Sequence, residues 1–432
     1  MYDRAKKFLI FALSCVISLH LLARPIHASE GALSLEEAVS QALDKSPELA
    51  VERHQIDVAK GDLAKARVYP LNPDLRLAPS YGSARPREVD TRVGTNGFEV
   101  AVSQTLQIKG QWGLRIQRAE ADLDRTGWTV KDAQRRIRAD VTSLFSDVLI
   151  GQERVQFFDE IVVLNRELFD ISRQLFEAGS VPRLDMLRAD VEWRRAQNDR
   201  MAEERVLAAA RKELNLLIGR PSDFVPQALG PLRYAFDETD LPALKRIAVA
   251  NRPDLSAAHA RLQVIEQELA IARAERLFPE LSASVGYSND LGLDGRDQRV
   301  LFGVTVPLPL WNRRQGEVET ALAERSRQAA AVTLVAARID KEVAQAYERL
   351  VASRRIVEEF GKRIVPQQEE NFRLLREGYE AGQFPLTEVL LGQREFVEGR
   401  LRYLEAVSQY NLSAVELERA VGTPLLKAGP TP

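Results

Sequence analysis

Apolar positions recur along this chain with two periods. Ile137, Val141, Leu144, Val148, Val155, Phe158, Val162, Phe169 and Phe176 follow one another mostly at three- and four-residue steps. Val332, Val335, Ile339, Val343, Ala346, Leu350, Val357, Phe360 and Ile364 do the same further on. Seams of this kind, with charge at the other positions, predict long helices packed side by side as in coiled coils. An unbroken helix over 113–177 would be roughly 100 Å long at 1.5 Å per residue. Pro366 predicts a kink in the second long helix, because it removes an internal hydrogen bond and crowds the preceding turn.

Four short segments alternate with period two instead. Leu75, Leu77 and Tyr81 alternate with Arg76, Ala78 and Ser80, and Phe98, Val100 and Val102 alternate with Glu99, Ala101 and Ser103. Leu281, Ala283, Val285 and Tyr287 alternate with Ser282, Ser284 and Gly286, and Val300, Phe302, Val304 and Val306 with Leu301, Gly303 and Thr305. These predict strands near 74–82, 97–106, 280–288 and 299–308, each with one apolar and one small or polar face. A half-buried soluble sheet and a lipid-out, water-in barrel share that alternation. The polar stretches 83–96 and 288–298 are expected to connect the strands as hairpin loops.

The chain is also written twice. Leu35, Ala42, Pro47 and Leu49 match Leu241, Ala248, Pro253 and Leu255, each 206 positions later. FEAGSVPRLDML at 176–187 reappears as YEAGQFPLTEVL at 379–390, a spacing of 203 that continues to Leu214, Gly219 and Pro221 against Leu417, Gly422 and Pro424. Two units are expected, 34–224 and 240–424, each ordered as short helix, helix, strand, strand, very long helix, turn and return helix. Gly179 and Gly382 suit the left-handed residue that stops a helix, and Pro182 and Pro385 suit the start of its antiparallel partner. Each copy reads as the tip of a helical hairpin, and the two tips are expected at one end of a rod.

Charge is balanced, with 60 basic against 62 acidic side chains, so no single-sign field points to nucleic acid. Arg4, Lys6 and Lys7, the apolar run Phe8–Leu22 and Ile26-His27-Ala28 read as a secretory signal over 1–28. That run is shorter than the ~20 residues needed to span a bilayer. Cys15, the only cysteine, lies inside the signal, leaving a mature chain without thiols. In an exported chain without a spanning helix, any membrane crossing must be made by strands. Four strands cannot close a barrel, and lipid does not tolerate open edges. Such a barrel would be shared between copies: two give eight strands, three give twelve.

FEVAVSQTLQIKGQWG, FGVTVPLPLWNRRQG and the duplicated tip make the chain resemble the TolC family of outer-membrane efflux proteins, over about 34–424. SQTLQIKGQ, VPLPLWNRRQG and LNPDL look most like its CzcC-like, cation-efflux members. The resemblance implies an α+β membrane protein: long antiparallel coiled-coil-like helices plus four strands per chain, in a homotrimeric twelve-stranded outer-membrane barrel continued by a periplasmic tunnel. It implies a periplasmic adaptor and an inner-membrane pump of the resistance-nodulation-division class as partners, with outer-membrane lipid around the barrel and no nucleic acid. It places a gate at the tips, with Asp185 and Glu388 at the acidic position of each and Tyr379 as the aromatic tyrosine of the second. Phe384 stands where a basic gate partner can occur, and Leu391 where a second acid can occur. Gly179, Pro182, Gly382 and Pro385 would shape the rim that docks the adaptor.

Nothing in the sequence supports catalysis, a cofactor or a resident metal. Only His54 and His259 remain beyond the signal, without HExxH-type spacing, and Met186 and Met201 are too few for a soft copper site. Three readings follow: a passive efflux duct, with divalent cations as cargo; the same duct serving drug or type I protein export; and a secreted coiled-coil scaffold, which leaves the alternating strands unexplained.

Overall fold

The computed structural model describes residues 31–84, 93–236, 240–276, 280–292 and 295–427. The expected signal over 1–28 lies outside the described residues, as do the centres of both strand connections. In chain order the elements are β1 (Ala32–Ser34), α1 (Leu35–Lys45), α2 (Pro47–Arg67), β2 (Asp74–Ala84), β3 (Val93–Leu106), α3 (Gln111–Glu177) and α4 (Arg183–Leu217). There follow β4 (Gln227–Leu229), β5 (Ala235–Phe236), α5 (Leu241–Asn251), α6 (Pro253–Glu275), β6 (Leu281–Gly292), β7 (Gly295–Thr305), α7 (Gln315–Glu359), α8 (Val365–Glu380), α9 (Leu386–Val421) and β8 (Leu426–Lys427). No described helix is long and apolar enough to cross a membrane.

Helix α3 is continuous over 67 residues, about 100 Å. Much of its seam is buried: Ile137, Val141 and Val148 pack with α1 and α4, and Phe158 lies in a lower cluster with Ala196 of α4, while Phe176 at the lower end is exposed. In α7 the seam residues Ile339, Val343, Ala346, Leu350 and Val357 pack against α9 and α5. The kink expected at Pro366 takes the form of a π-turn, Phe360–Ile364, immediately before α8. A wider turn there absorbs the donor that the proline lacks. Gly361 lets the Tyr403 ring of α9 approach: a Cβ would stand 3.1 Å from Tyr403 Cε2.

Both long helices open on one device. The Gln111 side chain accepts from the Lys109 N–H, and Gln315 from Arg313, both at 2.9 Å. The residue between is left-handed each time, Gly110 at φ 71° and Arg314 at φ 50°. Arginine in that conformation carries strain that glycine does not. Arg314 is paired with Glu275 of α6, which also receives Arg115 of α3 at 2.9 Å.

The four strands form one antiparallel sheet in the order β2-β3-β6-β7. Its register lines up the alternation row by row. Leu75, Val102, Val285 and Phe302 form one cross-sheet row, and Leu77, Val100, Tyr287 and Val300 the next but one. Between and beside them run Arg76-Ala101-Gly286-Leu301 and Ala78-Glu99-Ser288-Arg299. Over these rows one face is apolar across all strands and the other small or polar, apart from Leu301; beyond them the first face also carries Gln104 beside Ala283 and Val304, and Asn289 and Gln298 beside Phe98. The strands are longer and their connections shorter than the sequence suggests: Ala84 already pairs with Val93, and Gly292 with Gly295. β7 ends at Thr305 rather than near 308, because Pro307 and Pro309 cannot donate to a ladder.

Alongside the helices, short parallel β1-β4 and antiparallel β5-β8 pairs tie the segment between the repeats to the start of the first and the end of the second. There Arg252, only 4% exposed, binds Asp254 and Glu342 at 2.6 Å each and donates to the Ala420 carbonyl at the end of α9.

Candidate functional site

The helical hairpins α3–α4 and α8–α9 end in tips of the same construction. At the first, the Gly179 N–H donates to the Phe176 carbonyl at 2.9 Å and Ser180 to Leu175 at 2.8 Å. At the second, Gly382 donates to Tyr379 at 2.9 Å and Gln383 to Gly378 at 2.7 Å. Both glycines sit at φ 74°, and this crossed pair of bonds is how a left-handed glycine closes a helix. Pro182 and Pro385 occupy the cap position, one residue ahead of the first helical turn where the sequence places them.

Identical backbones carry unlike side chains. Tyr379 is buried, and its hydroxyl lies 3.0 Å from Ser172 Oγ of α3. Burial raises the Tyr379 pKa; the Ser172 hydrogen bond works against this, and the nearby Asp185 carboxylate adds to it. Asp185 is half-buried in the first turn of α4, 4.0 Å from Arg188. Glu388, its counterpart in sequence, is exposed and makes no ion pair among the described residues. The difference arises because Leu386 and Val389 of α9 turn inward with Leu168, Ala189 and Phe372, leaving Glu388 outside. Phe384 lies across Gly378, where an added Cβ would meet the ring at 2.3 Å.

Above the tip, Gln393 Nε2 donates to Asn165 Oδ1 at 2.7 Å, both side chains buried. Phe396 of α9 packs edge-on to Phe157 of α3 and stacks on Phe372 of α8. Two polar pairs and an aromatic ladder thus join one hairpin to the other. Sequence reasoning missed Ser172, Asn165 and Gln393. A signal existed: the α3 seam steps through 158, 162, 169 and 176, and Asn165 and Ser172 fill its two gaps. A polar residue at an otherwise apolar seam position specifies a partner.

Leu184, Leu187, Val191 and Leu391 line a groove of about 620 Å³ between α4 and α9, with Arg188, Arg195 and Arg394 along it. Among the described residues no three His, Cys, Asp or Glu side chains converge as a metal site would require. His54 and His259 stand exposed on separate helices.

The family described as outer membrane efflux protein matches residues 38–220 and again 244–423, once per repeat. The cobalt-zinc-cadmium resistance protein CzcC of Cupriavidus metallidurans is 26% identical over 392 residues, 91% of this chain and 90% of that one. Nodulation protein T of Rhizobium leguminosarum bv. trifolii is also 26% identical, over 91% of this chain and 86% of its own. Among solved structures, CusC, studied for folding and transmembrane channel formation, superposes with a TM-score of 0.73 at 16% identity, covering 90% of this chain and 92% of that one.

Proposed function

The chain belongs to the outer membrane efflux protein family, and from that premise we propose that three copies assemble into one duct that passes divalent metal cations out of the cell. The observation that carries the reading is the sheet: four strands, an apolar band across one face, a small or polar opposite face, and free edges at β2 and β7 among the described residues. Open edges are not stable in lipid, so β7 of one copy pairs with β2 of the next. Three copies supply twelve strands, enough to leave an open lumen lined by Arg76, Glu99, Ser288 and Arg299.

The duplication supports the same seam below the membrane. α6 is flanked by α3 and α7, and its Val264 is 0% exposed. Val58, 206 positions earlier on α2, is 59% exposed, and α2 has α3 on one side only among the described long helices. The free side of α2 is the shape that α7 of a second copy fits. Within the chain Arg118 of α3 meets Glu268 of α6 at 2.9 Å; their repeat equivalents are Leu322 of α7 and Asp62 of α2. With no cysteine beyond residue 15, D62C/L322C should cross-link the purified protein into trimers on a denaturing gel, whereas either single variant should not. Monomers alone would sink the trimeric reading.

The tips form the lower mouth. Tyr379 with Ser172, and Phe384 over Gly378, hold it closed; three exposed Glu388 side chains around the axis attract cations. The tip groove docks a periplasmic adaptor, which couples the duct to an inner-membrane pump of the resistance-nodulation-division class. Cargo follows from the relative named for cobalt, zinc and cadmium resistance. A deletion strain should retain more Co, Zn and Cd than its complemented parent without retaining an efflux dye. Dye retention alone would move the duct to drug export.

A further inference from the structure

The outward apolar face does not end where the sheet ends. In β7 it runs through Val300, Phe302 and Val304, and the alternation continues past the last paired residue into Val306, Leu308 and Leu310. Pro307 and Pro309 fill the positions between and, having no N–H, keep this stretch from extending a hydrogen-bonded edge. Leu308 is 70% exposed and Trp311 88%, and the Trp311 ring has no partner among the described residues. In the first repeat the same face of β3 ends on exposed Leu106 and the alternation continues past it into exposed Ile108.

Each apolar run then meets a cation in the same backbone setting. Lys109 and Arg313, 204 positions apart, each precede the left-handed residue that opens a long helix, and each N–H is held by the glutamine two residues on. Arg314 is engaged by Glu275. Lys109 and Arg313 are exposed, and neither side chain has an acidic partner among the described residues.

Exposed leucine and tryptophan above a row of unpaired cations complement the boundary between hydrocarbon and phosphate. We propose that this lower rim of the barrel is a recognition surface for anionic phospholipid in the periplasmic leaflet, acyl chains lying on Leu308, Leu310 and Trp311 and phosphates on Lys109 and Arg313. The proposal rests on the outer-membrane duct above. Continuity with the lipid-facing rows favours lipid over a neighbouring protomer as the cover for Trp311, since the prolines end inter-strand pairing there.

The test reconstitutes the full-length protein in phosphatidylcholine vesicles carrying a minor fraction of brominated phosphatidylglycerol or brominated phosphatidylcholine. Tryptophan quenching is read in wild type, W311F and K109Q/R313Q, and insertion is checked by vesicle flotation and ion conductance. Quenching that depends on Trp311 should be about two- to fivefold stronger with the anionic lipid, the scale of one or two cations at a membrane surface. K109Q/R313Q should keep the quenching and lose the preference, and inorganic phosphate at constant ionic strength should leave the wild-type preference in place. Equal quenching by both lipids, or a preference erased by free phosphate, would overturn headgroup recognition. No Trp311-dependent quenching in an inserted, conducting protein would assign the ring to a protomer interface and overturn the proposal. A protein that neither floats nor conducts would refute the duct itself.

Discussion

Tyr379→Phe tests the proposed latch with the smallest change available. It removes one hydroxyl and leaves the ring in its cluster with Leu168, Phe372 and Leu386. The partner Ser172 is fully buried, so the closed state loses a hydrogen bond that water does not replace. Such a bond is worth about 1 kcal/mol net, roughly a fivefold change in an equilibrium. In the proposed trimer, three such tips opening together would multiply that to about 3 kcal/mol, on the order of a hundredfold in the closed-to-open ratio. Open probability in planar bilayers should therefore rise steeply in Y379F. S172A should behave similarly, and the double variant little worse than either, because one bond is lost in all three. Additive effects, or an unchanged open probability, would refute the latch. The pH dependence gives a second check. Burial raises the Tyr379 pKa in the closed state, against an ordinary value of about 10 once exposed. The closed state is then at full strength below about pH 10 and weakens as pH rises beyond it. Wild type should open more in that range, while Y379F should show no such rise.

Three further outcomes follow from the packing. Arg252→Met leaves Asp254 and Glu342 without their partner and the end of α9 uncapped; because both acids keep some solvent, a loss of about 2–3 kcal/mol is expected in thermal unfolding of the purified protein. Desolvation pushes the Asp254 pKa up, but the hydrogen bonds and charge of Arg252 outweigh it and hold the carboxyl below its ordinary value. Wild type should thus lose stability as pH falls below about 4, and R252M should lose less. N165L and Q393L should each cost about 1–3 kcal/mol by stranding a buried amide, with N165L/Q393L less destabilised than the sum of the singles. Gly179→Ala and Gly382→Ala should cost equally, about 1 kcal/mol each, since both sites open into space and only the left-handed backbone resists a side chain.

Much of this was legible in the chain because it is set by near neighbours. The three- and four-residue steps of Ile137, Val141 and Val148 identify a seam wherever the helix packs, and Gly179 and Gly382 close helices through bonds reaching only five residues back. Alternation in β2, β3, β6 and β7 likewise assigns each side chain a face. What the sequence could not supply is which distant groups meet. Asp185 and Glu388 are equivalent in the repeat, yet one is half-buried beside Tyr379 and the other exposed, because Leu386 and Val389 turn inward. Asn165 and Ser172 could be seen as gaps in a seam, but Gln393 and Tyr379 as their partners lie more than 200 positions away. Pro366 announces a break in the helix, but that the Tyr403 ring of α9 lies against Gly361 in the π-turn is set by packing. The cross-sheet rows depend on β3 pairing with β6 across the whole of α3 and α4. Local conformation follows from sterics and hydrogen bonds within a few residues. Partnership between elements is decided by register and close packing, which exist only once the chain has come together.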